Sequence, residues 1–258
     1  MSTDHPNGTV EGGPDRDAIT ERLRRVDDPE LDRSIVELDY VEAVAVDGGH
    51  VRVSFVLPTA WCSPAFAWMM ATGIRDEVGS LPGVADVTVD LREHMHAEEI
   101  TEGVNERRPF PAAFPDSEAG VDAVRRKLDE KARLARQYTA VEALKDAGLD
   151  PEQIAALSRA QVERDPDANR STVSLHDGSV FVVVDDEPLA DYLEKARATG
   201  VVTGPDDPLF ADPDGDPIDP GAFDLVQARA RSANVNVGGQ GSVCAALHES
   251  RNGPTDDD

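Results

Sequence analysis

Residues 40–57, YVEAVAVDGGHVRVSFVL, constrain this chain most. Val44 and Val46 alternate with polar or small neighbours. Val51, Val53, Phe55 and Leu57 do the same on the return. Between them Asp47-Gly48-Gly49 supplies a residue pair that tolerates positive φ. Two alternating runs joined by such a turn predict a β-hairpin with one buried face. That face needs a cover, and the flanking segments provide it. Residues 15–26, DRDAITERLRRV, place Ile19, Leu23 and Val26 at helical spacing, with Asp15 or Asp17 available as cap. Pro29 ends that helix, because the residue before proline avoids the α region. After the hairpin, LPTAWCSPAFAWMM passes from strand to helix. Ser63-Pro64 opens a helix over 63–79 and Gly79 closes it. Leu81-Pro82-Gly83-Val84 reads as a turn and VADVTVDL as a third strand. The order α-β-β-α-β with a three-stranded sheet predicts a compact α+β domain.

The rest of the chain reads as an extension. The stretch HMHAEEITEGVNERR leaves that domain, and Pro- and Phe-rich PFPAAFPDSEAG reads as a linker. Val121, Val124, Leu128, Leu134, Val141 and Leu144 define the apolar face of a helix over 118–147, with Gly148 as its C-cap. Asp150 and Pro151 suit the first positions of another helix. STVSLHDGSVFVVV predicts a second hairpin, with a turn at Asp177-Gly178. DEPLADYLEKARATG predicts a helix. The terminal stretch predicts two helices around a break at Gly238-Gly239. The expected organisation is a disordered tail at 1–16, an α+β domain at 17–108, linker and helices at 109–166, a small second α+β module at 167–251, and an acidic tail at 252–258. No internal repeat is evident.

Composition bears on habitat and partners. The chain has 51 acidic against 25 basic residues, a net charge of −26, and only 4 of the basic residues are lysines. This charge is dispersed, so it is no acidic interaction tail. A dispersed, Asp-rich, Lys-poor surface suits a halophile's cytosol, where molar salt screens repulsion within a few Å. The sign argues against nucleic acid and anionic membrane as partners. Two cysteines do not make a disulfide scaffold. No apolar run suggests a leader or a membrane span, and a cytoplasmic protein with reduced thiols is expected.

Cys62 lies where the second strand gives way to a helix. Backbone N–H groups at such a junction stabilise a thiolate, so the position suits a reactive or metal-binding thiol; a buried, inert cysteine is the plain alternative. His94 and His96 follow the third strand. In extended chain an i, i+2 pair points the same way and could share a metal, or could simply decorate the sheet edge. Cys244 and His248, spaced i, i+4, share one helix face and form either a two-ligand clip or a buried thiol beside a rim imidazole. Two cysteines cannot hold a four-cysteine cluster within one chain. A transient or dimer-bridged site is therefore expected, and a homodimer stays open. The acidic loop with Asp212, Asp214, Asp216 and Asp219 lacks EF-hand spacing and reads as a turn. No phosphate-binding glycine loop or nucleophile elbow is present, so nucleotide-driven and triad chemistry have no support.

The ordered set of Asp28-Pro29-Glu30-Leu31, Ile35-Val36-Glu37-Leu38, the hairpin, Pro58-Thr59, Cys62, the helix and Leu81-Pro82-Gly83-Val84 resembles the small metal–sulfur cluster assembly domain of the PaaD and SufT-like proteins. The resemblance covers roughly residues 17–100. It implies that Asp28, Pro29, Glu30 and Cys62 are the hallmark positions. It also implies a role in maturing iron–sulfur or related iron centres, as carrier or adaptor and not as an enzyme. The expected cargo is iron or an iron–sulfur cluster held transiently. The expected partners are cluster assembly proteins or a client metalloenzyme. Trp61 stands where that family usually has a small residue, so Trp61, Phe66 and Trp68 are read as a partner-facing surface. The extension by a second module is similar to longer members associated with multicomponent di-iron monooxygenases. The competing expectation is a metal-free interaction module or chaperone for an oxygenase subunit.

Overall fold

A computed structural model describes residues 13–115, 120–176 and 178–252, with side chains described as far as residue 239. The chain is mixed α+β and divides into two compact units, residues 1–122 with 243–258 and residues 123–242. Of the expected tails at 1–16 and 252–258, residues 1–12 and 253–258 lie outside the described residues, whereas Asp15 and Arg16 already cap and open the first helix and Asn252 ends the last one.

The first unit opens with α1, Arg16–Leu23, capped by Asp15, whose carboxylate accepts the Asp17 N–H. Ile19 and Leu23 are its buried face. Two short strands, β1 (Asp27–Asp28) and β2 (Arg33–Ser34), pair around the Asp-Pro-Glu turn. The hairpin forms as β3, Val41–Asp47, and β4, His50–Val56, with Gly48 at φ +57° in its turn. Helix α2, Pro64–Gly79, then crosses over, and β5, Asp86–Arg92, pairs in parallel with β4. The sheet order is β3-β4-β5. Val51, Val53 and Phe55 of β4, Val87, Val89 and Leu91 of β5, and Met70, Ile74 and Val78 of α2 share one core with Ile19, Leu23 and Tyr40. Each such side chain contributes about 1.5–3 kcal/mol by leaving water.

The structure departs from the sequence reading just after β5. Residues 94–108 do not leave the domain. They form α3, Ala97–Asn105, with Ile100 and Val104 fully buried against the same core. The physical reason lies in β5, an edge strand whose outer backbone groups need partners. Asn105 supplies both a donor and an acceptor to Val89, each at 2.9 Å, and Thr101 Oγ1 accepts the Leu91 N–H at 3.2 Å. The expected linker also folds back, as the single turn α4, Phe110–Ala113. Phe110 is buried and stacks on Phe114 at 4.9 Å, and both meet the edge of Trp68, at 5.4 and 6.3 Å. Trp68 is thereby 6% exposed, which corrects its expected place on a partner-facing surface. It faces inward because α2 turns residues 67–71 toward the sheet, and the aromatic pair from α4 closes over the indole.

In the second unit, α5, Val121–Asp146, buries Ala140, Val141 and Leu144. Helix α6, Pro151–Ala155, begins with a reciprocal cap between Asp150 and Gln153. The predicted hairpin is present as β7, Arg170–Leu175, and β8, Val180–Asp185, but it belongs to a three-stranded antiparallel sheet. Its extra strand, β6, is Val162–Asp165. Helix α7, Asp186–Ala198, follows β8 directly; Asp186 holds Arg164 at 2.7 and 2.6 Å and accepts the Ser171 hydroxyl at 2.6 Å. In the acidic loop Asp212 accepts the N–H groups of Asp214 and Asp216, both at 2.9 Å, as a turn does. The expected break at Gly238-Gly239 is absent: α8 runs without interruption over Phe223–Asn252. Glycine in a helix costs about 1 kcal/mol relative to alanine and does not forbid it. Ala230 and Ala233 anchor α8 on Leu134 and Ala135 of α5.

The Trp68 pocket generates a stability prediction. A Cβ added at Gly103 would lie 2.6 Å from the Trp68 ring, which is held in place by Phe110 and Phe114. Gly103→Ala is therefore expected to destabilise the protein by about 1–3 kcal/mol, despite alanine's better helix propensity. A urea midpoint equal to or above wild type would contradict this packing.

Candidate functional site

The loop after β4 presents Cys62. Val56 and Leu57 are buried, so the strand enters the turn from a fixed position. The Cys62 N–H points to the Thr59 carbonyl at 3.4 Å, and the Trp61 N–H donates to Thr59 Oγ1 at 3.3 Å. Thr59 Oγ1 also lies 3.4 Å from Cys62 Sγ. Either atom of this pair could be the donor. Ser63 stands at the N-cap position of α2 without a side-chain capping bond, and Pro64 occupies its first turn, where a missing N–H costs nothing. Cys62 is half-buried, packed on one side against the core of the first unit. Trp61 beside it is 76% exposed, whereas Phe66 is half-buried against that core.

A second segment braces this loop. Parallel pairing ends with Val56 opposite Arg92, so the residues following each strand continue side by side. The Met95 N–H donates to the Ala60 carbonyl at 3.0 Å, and His94 Nε2 lies 2.9 Å from the Cys62 carbonyl. His94 Nδ1 accepts the His96 N–H at 3.1 Å. The imidazole proton therefore sits on Nε2 and is donated to the Cys62 carbonyl. Burial lowers the pKa of His94, opposed by the hydrogen bond to the Cys62 carbonyl. His96 pairs with Glu99 at 3.4 Å and meets the edge of Phe114. Beside the loop is a cleft of about 410 Å³, lined by Ser63, Ala65, His96, Glu99, Phe110 and Phe114 among others.

The Asp-Pro-Glu turn is built on Asp28, which is buried. One of its carboxylate oxygens accepts the N–H groups of Glu30, at 2.8 Å, and Leu31, at 3.1 Å. The other accepts the Tyr40 hydroxyl at 3.4 Å. Burial pushes the Asp28 pKa up, against the pull of these hydrogen bonds. Pro29 and Glu30 are half-buried.

Of the expected ligands, the fold brings Cys62 and His94 together and sets His96 next to His94. The pair is not arranged as the extended i, i+2 clip expected, because His94 uses both ring nitrogens for backbone hydrogen bonds and His96, at the first turn of α3, sets its ring against Glu99. Among the described residues no three His, Cys, Asp or Glu side chains are grouped to hold a metal ion. Cys244 and His248 fall within α8, but their side chains lie outside the described residues. Among the described residues no helix is long and apolar enough to cross a membrane. Sequence reasoning missed the brace. Its signal was the βαβ order, which implies a parallel crossover and brings the ends of both strands to one rim.

The first unit is a small mixed sheet with an Asp-anchored turn and a cysteine at a strand-to-helix junction. Residues 16–91 match the iron–sulfur cluster assembly protein family. They form an iron–sulfur cluster assembly domain of the PaaD and SufT-like kind. Over 75 residues the chain is 40% identical to an iron–sulfur cluster carrier protein of Synechocystis sp., a match covering 29% of this chain and 21% of that one. Over 93 residues it is 29% identical to an uncharacterized protein of Methanocaldococcus jannaschii, covering 36% of this chain and 96% of that one. The chain thus spans about a fifth of the carrier protein's length and nearly all of the archaeal relative. No solved structure matches the chain. Asp28, Pro29, Glu30 and Cys62 lie within the matched segment; His94 and His96 lie beyond it.

The Asp28 turn carries two expected outcomes. Asp28→Ala removes the acceptor of two backbone N–H groups and is expected to cost about 1–3 kcal/mol. Asp28→Asn keeps an acceptor oxygen and drops the buried charge. Because the folded pKa is raised, the carboxyl's contribution to stability is complete below its ordinary value of 3.8 and is lost as pH rises through the folded value. Asp28→Asn should therefore gain on wild type at neutral pH, with the gap closing as the buffer is acidified. Denaturation midpoints across pH check both; a gap that widens on acidification contradicts the buried carboxyl.

Proposed function

We propose that this protein is a carrier or adaptor in the maturation of iron–sulfur or related iron centres, with Cys62 as the primary ligand for its cargo. The observation that carries this reading is the half-buried thiol on a braced turn, inside a segment matched to the cluster assembly family. A held thiol with one open side can take a metal–sulfur unit and give it up again, since thiolate exchange needs an approachable sulfur. Two cysteines cannot supply the four thiolates of a cluster within one chain, which favours shared ligation, with a second copy or a partner protein completing the shell. Asp28, Pro29 and Glu30 fix the turn on which the domain rests and are not ligands. The second unit would recognise the client metalloenzyme. No catalytic turnover is proposed. The dispersed acidic surface would suit a salt-rich cytoplasm.

A second reading, a metal-free chaperone or interaction module for an oxygenase subunit, draws on the exposed Trp61 and Met95 on adjoining segments. One experiment separates the two. Purified protein and its Cys62→Ala variant are incubated anaerobically with ferrous iron and sulfide, and bound iron and visible absorption are measured. The carrier reading expects wild type to take up iron and Cys62→Ala to lose most of it. Equal uptake by both would remove the ligand role and leave the metal-free reading standing.

A further inference from the structure

We propose that His94 is a positioning residue for the thiol, and not a metal ligand: its Nε2–H holds the Cys62 carbonyl and so fixes how Sγ is presented. This deepens the carrier reading and rests on Cys62 being the cargo thiol. Three features of the geometry support it. First, the His94 ring is committed at both nitrogens, Nε2 to the Cys62 carbonyl at 2.9 Å and Nδ1 to the His96 N–H at 3.1 Å. Binding a metal through Nε2 would break the bond that holds the loop. Binding through Nδ1 would strip the His96 N–H at the start of α3 of its acceptor. Second, the ring is buried, 8% exposed, so it is held in place by packing as well as by its two hydrogen bonds. Third, the bond acts together with Met95 N–H to Ala60 carbonyl, so the loop is tied at two carbonyls that flank Trp61. A tie on either side of the exposed indole stops the turn from swinging as Trp61 moves.

Ligand-orienting hydrogen bonds of this kind decide how a site binds even when they never touch the cargo. Here the orienting group acts through the main chain. The side-chain partner of the sulfur is Thr59. Sequence distance hides the arrangement, since His94 and Cys62 are 32 residues apart and His94 lies beyond the family-matched segment.

The test uses the full, metal-free chain. Alkylation by iodoacetamide is followed by peptide mapping, so Cys62 and Cys244 are timed separately. His94→Ala is expected to speed alkylation of Cys62 several-fold, because the untied loop opens, with Cys244 unchanged. His94→Gln restores a side-chain N–H donor and should bring the Cys62 rate back toward wild type. An unchanged Cys62 rate in His94→Ala overturns the proposal. Equal acceleration of both cysteines also overturns it, since that reports general loosening. A ligand role for His94 would instead show as equal loss of iron in both variants with no change in metal-free alkylation. Because alkylation is read without metal, failure of the carrier reading would leave this result standing by itself.

Discussion

Seven residues of β4 pair in parallel with seven of β5, from His50 against Asp86 to Val56 against Arg92. Everything distinctive about the first unit follows from that ladder. Parallel strands need a crossover, and α2 supplies it with a face of Met70, Ile74 and Val78. Parallel strands also end at the same rim. The turn carrying Cys62 and the bend carrying His94 and Met95 therefore emerge together and exchange hydrogen bonds. An antiparallel β5 would have put these segments at opposite ends of the sheet and left the thiol turn unsupported.

The same ladder creates an exposed edge, and α3 answers it. Asn105 and Thr101 stand in for a missing strand along β5. Because α3 must sit there, its N-terminus is drawn to the rim, and His96 at that N-terminus fixes the tautomer of His94. Edge protection and thiol presentation are thus one piece of construction. The aromatic closure of α4 over Trp68 completes the same side of the unit and forms part of the wall of the cleft beside Cys62.

Much of this is legible in the sequence. The hairpin, the junction helix, the third strand and the Asp-Pro-Glu turn all announce themselves through local periodicity and turn chemistry, and they were enough to suggest the domain type. What was not legible depends on contacts between distant segments. Residues 94–115 look like exit and linker because their polar positions are read as solvent-facing; Asn105 and Thr101 instead face a strand edge. Trp68 looked like a surface residue because its cover, Phe110 and Phe114, comes from a stretch that reads as a linker. Gly238-Gly239 looked like a break because propensity was read without the anchoring of α8 on α5. For His94 a shared metal and a plain edge position both stay open in the sequence, because it names the imidazole but not the Cys62 carbonyl 2.9 Å from it.

The tie between residues 60–62 and 94–95 also sets an order of events during synthesis. The hairpin can form as soon as residue 57 is free, since its contacts are local. The thiol turn cannot be fixed until β5 has been made, threaded beside β4 and turned toward α3. On the ribosome Cys62 therefore passes through an interval as a loose thiol on an unfinished sheet. Its defined setting arrives only when the chain beyond His96 has emerged.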